Sequence, residues 1–135
     1  MRFCLDTNTC IDAMKGTWPK MAERFRQYVP EDIGVPAMVR AELLLGALKS
    51  RNPGRTGELV EAFLAPFDLL PFDRAAAGHY ADIRRQLEAG GKLIGPNDLV
   101  IAATARSRNL TLVTHHRREF ARVPGLATED WAIGA

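Results

Sequence analysis

The chain has 135 residues, of which 47% are apolar and 25% charged, enough for one domain with a real hydrophobic core. A formal net charge of +2 excludes a uniformly basic surface, so any nucleic-acid interface must come from where the charges sit. No apolar run approaches the ~18 residues of a membrane span, and the opening MRFCLDTN lacks the apolar stretch of a secretory leader; a cytoplasmic protein without membrane contact is expected.

Arg2 to Leu5 form a short apolar run that stops at DTNT, a cluster suited to a helix start. Thr7 onward, through CIDAMKG, reads as a short helix closed by Gly16. From Pro19 to Tyr28 the spacing of Met21, Phe25 and Tyr28 marks an amphipathic helix. DIGV is a strand candidate, and Pro36 suits the first turn of the next helix, PAMVRAELLLGALKS. RNPGRTG breaks that pattern, and Glu58 to Ala65 resumes it. DLLPF is a second short strand, and Asp73 caps a long helix from Arg74 to Ala89 that two glycines end. Pro96 opens a further helix, LTLVT is a buried strand, HHRREFARV is a turn or short helix, and GLATEDW closes the chain as an edge strand.

Short apolar strands alternating with helices imply an α/β fold, a mostly parallel sheet flanked by helices, in a single domain over residues 1–135. Ligands of such folds sit beyond the carboxyl ends of the strands. Asp6 directly follows one strand and Thr114 ends another, so both belong to that rim. Cys4 lies in a buried run, so Cys4 and Cys10 read as reduced, structural thiols rather than a disulfide. Trp18, Met21, Phe25, Leu44 and Leu45 read mainly as core, with grooves for a partner as the other use of the same side chains.

Three acids stand where acids are costly. Asp98 shares a helix face with Ile101, Ala102 and Ala105, and Glu42 lies among Val39, Leu43 and Gly46. Asp6 has a structural role open to it as a helix cap, and Asp98 sits where the helix dipole favours a negative charge by ~0.3–1 kcal/mol. Burial on an apolar face costs more than that. If the three converge, carboxylates ~4 Å apart repel by roughly 4 kcal/mol at an effective dielectric of 20. A cation among them removes the conflict, and oxygen-only ligation selects Mg²⁺ or Mn²⁺ over zinc. His115 and Glu119 are four apart, but no third ligand at zinc spacing accompanies them. His79, inside the long helix, reads as ordinary surface or core.

The blocks LDTNTCID, VRAELLLGA and IGPNDLVIAATARSRNLTLVT, followed by REFARVPGL, resemble VapC-type toxins of the PIN-domain ribonuclease family. The resemblance runs over almost the whole chain in the family's order. It implies a three-layer sandwich with a central, mostly parallel sheet, and a Mg²⁺-dependent (or Mn²⁺-dependent) endoribonuclease. Asp6, Glu42 and Asp98 match the family's metal-binding acids, while Thr7, Asn8 and Thr114 match the polar residues that orient carboxylates and phosphate. Where many PIN domains have Asp or Asn, this chain has His116, so the fourth pocket position falls to Glu119 or His116. The resemblance further implies a VapB-type antitoxin as partner, a homodimer, a hetero-oligomer with the antitoxin, and transfer RNA as the favoured substrate.

Arg106, Arg108, Arg117, Arg118 and Arg122 crowd one stretch opposed only by Glu119, a candidate track for RNA phosphates. Two other readings compete. The Asp-Thr tip after the first strand suits an aspartyl-phosphate enzyme, but Asn8 stands where the second acid belongs, and no glycine-rich phosphate loop is present. A catalytically idle PIN-like module serving only in an antitoxin–DNA repressor complex is the non-enzymatic alternative. Its weakness is that a pure scaffold has no use for mutually repelling carboxylates.

Overall fold

The computed structural model describes residues 1–133. In chain order the elements are β1 (Phe3–Leu5), α1 (Thr7–Lys15), α2 (Pro19–Arg26), β2 (Ile33–Pro36), α3 (Ala37–Leu48), α4 (Pro53–Leu64), β3 (Asp68–Leu70), α5 (Arg74–Ala89), α6 (Pro96–Ser107), β4 (Thr111–Val113), α7 (Arg117–Phe120) and β5 (Thr128–Glu129). The strands form one five-stranded sheet in the order β3-β2-β1-β4-β5. Every pairing in it is parallel, so the expected α/β architecture is present, with helices flanking the sheet.

The central strands are apolar on both faces, as a doubly covered parallel sheet requires. Phe3, Leu5, Val35, Leu112 and Val113 are all buried. Helix α6 is the most deeply set: Leu99 and Ile101 through Ala105 are buried, and small alanines let it approach α5 closely. Cys4 and Cys10 are free thiols within the core, and burial pushes both thiols up, which keeps them in the neutral form.

Several boundaries differ from the sequence reading. Helix α4 begins at Pro53, not Glu58, because Asn52 caps it through the Arg55 amide and Pro53 occupies the first turn, where its missing N–H costs nothing. Pro36 ends β2 in an extended conformation instead of opening the next helix. Helix α2 stops at Arg26, short of Tyr28. Of the five proposed core residues only Met21 is fully buried; Trp18, Phe25 and Leu44 are half-buried, and Leu45 is 51% exposed.

From β1 the chain builds β2 and β3 to one side and then returns to add β4 and β5 on the other. The strand order reverses between β1 and β4, and open α/β sheets form their ligand crevices at the carboxyl ends of strands beside such a reversal. Asp6 and Thr114 immediately follow β1 and β4 there.

Candidate active site

Asp6 is fixed by the backbone on both sides. Its own amide donates to the Val113 carbonyl at 3.2 Å, and its carboxylate accepts the Thr9 amide at 2.8 Å, capping α1. The Thr9 hydroxyl donates to the same Val113 carbonyl at 3.0 Å. These bonds tie the first turn of α1 to the end of β4. The cap expected from the sequence is therefore present, and Asp6, though buried, also lines the pocket at this rim. Burial pushes the Asp6 carboxyl above its usual range, while hydrogen bonds from Thr114 and Thr9 and the nearby His116 act in the opposite direction.

Glu42 reaches this rim from the second turn of α3. Its Oε1 accepts the Thr7 hydroxyl at 2.6 Å, and its Oε2 accepts the Asn97 amide nitrogen at 3.3 Å. Asp98, in the first turn of α6, completes the approach from the third side. The α7 segment adds Glu119 and His116: the His116 amide donates to the Thr114 hydroxyl at 2.9 Å, and its ring Nε2 lies 2.8 Å from the Asn8 amide nitrogen.

Together Asp6, Thr7, Asn8, Glu42, Asp98, His116 and Glu119 line one pocket of about 230 Å³. Thr114 lies just beneath it, buried and bonded to Asp6 and His116. The electrostatic consequence falls on Asp98. Burial, then the charges of Glu119, Glu42 and Asp6, push its carboxyl from 3.8 up to about 6, and a hydrogen bond shared with Glu119 adds to the effect. The pocket is short of positive charge in the way that a cluster of carboxylates is before a cation joins it. Its donors are all hard oxygens apart from His116. Among the described residues no three His, Cys, Asp or Glu side chains are already drawn in around a single point.

The five arginines do not form one patch. Arg106 donates to the Asp82 carboxylate at 2.7 Å, to His79 at 2.9 Å and to the Pro124 carbonyl at 2.9 Å, tying α6 to α5. Arg108 donates to the Pro71 carbonyl at 2.9 Å and pairs with Asp73 at 3.2 Å. Both belong to the end of α6 remote from Asp98, so their expected role on RNA gives way to a structural one. The helix that carries Asp98 to the rim carries Arg106 and Arg108 away from it. Arg117 and Arg118 are exposed and directly follow His116, and Arg122 lies just beyond. Asn97, which donates to Glu42 from beside the pocket, is the supporting residue that sequence reasoning passed over; its only signal was adjacency to Asp98, which any polar residue in a first helical turn shares.

A family model described as the PIN domain matches residues 3–126. The chain belongs to the PIN domain family. Within it the chain is of the VapC type. It is 42% identical to the tRNA(fMet)-specific endonuclease VapC of Shigella flexneri, over 98% of this chain and 99% of that protein. Among solved structures, the DNA-bound VapBC of Salmonella typhimurium superposes with a TM-score of 0.92 at 40% identity, covering 97% of this chain and 98% of the other. VapBC2 of Rickettsia felis, bound to a fragment of promoter DNA, gives 0.91 at 32% identity, covering 97% and 99%. No described helix of this PIN domain is long and apolar enough to cross a membrane.

Proposed function

We propose that this chain is the toxin of a VapBC-type toxin–antitoxin pair: a cytoplasmic, single-domain endoribonuclease that uses Mg²⁺, or Mn²⁺ in its place, to cut phosphodiester bonds of transfer RNA. The observation that carries the reading is the one pocket shared by Asp6, Glu42, Asp98 and Glu119 at the carboxyl rim of the sheet. Its chemistry fits a hard divalent ion, because four carboxylates line one pocket and Asp98 already resists ionisation in their company. Asp6, Asp98 and Glu42 are the residues to hold it. When bound, such an ion supplies Lewis-acid activation of water and offsets the charge building on the phosphate.

The chain's own groups do the rest. Thr9 and Thr114 fix Asp6, while Thr7 and Asn97 occupy one oxygen each of Glu42 and keep it turned toward the pocket. Glu119 faces Asp98 and provides the fourth acid of the pocket. Asn8 and His116 close the opposite wall with nitrogen groups that suit phosphate oxygens. Arg117, Arg118 and Arg122 track the RNA backbone beyond it.

An antitoxin has a place to lie. A groove of about 620 Å³, lined by Ile11 and Met14 of α1, Leu43 and Ala47 of α3, and Leu59 and Val60 of α4, also includes Glu42, and so opens onto the acidic pocket. An apolar segment seated there, ending in a basic side chain over the carboxylates, would replace the cation's charge and block the site. A homodimer that binds two antitoxin chains is the assembly this reading expects.

The test is direct. Purified protein incubated with total transfer RNA should give discrete cuts bearing 5′-phosphates in Mg²⁺, none in EDTA, and almost none with Asp98→Asn. An Asn variant that cuts as fast as the wild type sinks the reading, and intact RNA throughout favours the idle binding module.

A further inference from the structure

Beside the acidic pocket three aromatic rings stand in a row. His116, on the pocket wall, lies 6.3 Å between ring centroids from His115 and edge-on to it at 62°, and His115 lies 5.3 Å from Trp18, tilted by 40°. Two of the rings are held by carboxylates. His115 Nδ1 bonds to Asp130 at 2.8 Å, and Asp130 is buried and accepts the Ala132 amide at 2.9 Å. The Trp18 indole N–H donates to Asp12 at 3.0 Å from the side of α1. Each polar edge is thus tied to the protein while the His115 side chain remains 41% exposed.

Resting on the nuclease reading, we infer that His116, His115 and Trp18 form a stacking track for unpaired RNA bases flanking the scissile phosphate. Rings locked at one edge present a face at little entropic cost, and single-stranded RNA is recognised chiefly by stacking bases on such faces. The occupant is RNA for two reasons. The row is continuous with the pocket through His116, and the exposed Arg117 and Arg118 adjoin it in the chain, supplying the positive charge that a sugar-phosphate backbone needs.

The test compares binding of a short oligoadenylate with that of the same strand lacking its bases, both on the Asp98→Asn protein so that the strands stay whole. His115→Asn removes the ring yet keeps an amide donor for Asp130. The track requires oligoadenylate binding to weaken by roughly 5- to 100-fold on this substitution, with binding of the abasic strand unchanged. Equal weakening of both strands, or of neither, overturns the track while leaving the nuclease reading intact. Failure of both strands to bind at all overturns the two together. A second measurement needs no change at the rings: oligoadenylate should quench Trp18 fluorescence and the abasic strand should not. Trp131 is fully buried, so Trp18→Phe should abolish the response. A quench that survives Trp18→Phe, or loss of affinity only for an antitoxin peptide, counts against the track.

Discussion

Replacing Asp98 by Asn should stabilise the metal-free protein at neutral pH, because burial, and then the charges of Glu119, Glu42 and Asp6, disfavour the ionised form of Asp98. Its carboxyl stands at about 6 in the fold against an ordinary 3.8. At ~1.4 kcal/mol per tenfold change in proton affinity, that gap corresponds to ~3 kcal/mol for the ionised form. Asp98 is only half-buried and the first turn of α6 favours a negative charge, so solvent screening and the helix dipole leave about 1 kcal/mol. For a domain of this size that is a rise of roughly 3 °C in Tm. The sign of the pH dependence follows from a folded pKa above the unfolded one: the native state holds the proton more tightly. The contribution of Asp98 is intact below about pH 4 and is lost as pH rises through about 6. The advantage of Asp98→Asn in EDTA should therefore be absent at pH 4 and fully developed by pH 7. Mg²⁺ should raise the Tm of the wild type by mass action and that of the variant much less. Thermal unfolding followed by circular dichroism across this range decides it. A variant less stable than the wild type at pH 7 in EDTA, or one whose gain is the same at pH 4, would refute the electrostatic reasoning.

Asn97→Ala should leave the fold intact and slow cleavage by about tenfold, since a lost hydrogen bond to a charged group is worth roughly 1.5 kcal/mol; Thr7→Val should act through the other Glu42 oxygen to a similar extent. Single-turnover cleavage rates measure both, and undiminished rates would remove these residues from the positioning of Glu42. Arg106→Ala should lower Tm by a few degrees with no change in the salt dependence of RNA binding, because its partners are Asp82, His79 and the Pro124 carbonyl. Arg118→Ala should instead lessen the slope of log affinity against log salt by about one; a titration of RNA binding in both variants separates the two roles. Thiol reagents should modify Cys4 and Cys10 only at the rate of unfolding, given that neither is exposed, and fast labelling of the native protein would contradict their burial.

Which parts of this molecule could be read from sequence depends on the range of the interactions concerned. The cap at Asp6, the N-terminal position of Asp98 and the alternation of strand and helix are local, and one strand's worth of residues carries each signal. Glu42 was legible because a carboxylate among Val39 and Leu43 contradicts the polarity of its helix. The structural pairing of Arg106 and Arg108 was illegible for the opposite reason. Closeness in sequence does not survive twelve residues of helix: α6 runs from the pocket at Asp98 down to Arg106, and the pairs that neutralise Arg106 and Arg108 come from α5 and its cap, 24 and 35 residues earlier in the chain. Asn97 and the Trp18–His115 contact were hidden for the same cause. Their partners, Glu42 and each other, are 55 and 97 positions away, and a single polar or aromatic residue announces nothing about a neighbour so distant.

The way the acids are supported also explains how the fold tolerates them. Three of the four carboxylates have a local occupation that makes them worth having: Asp6 caps α1, Glu42 accepts from Thr7 and Asn97, and Asp98 sits at the positive end of α6. These uses anchor Asp6 and Glu42 by hydrogen bonds from neutral donors, whereas Asp98 has the helix dipole and a hydrogen bond shared with another acid, Glu119. Burial, and after it the charges of Glu119, Glu42 and Asp6, therefore fall on Asp98 as a raised affinity for protons. A group in that condition responds most strongly to any positive charge entering the pocket, whether a divalent ion or a basic side chain. Competition between the two for one weakly held carboxylate gives a physical route by which an antitoxin's cation silences the site without distorting the fold, and it predicts that Asp98→Asn weakens both ligands together.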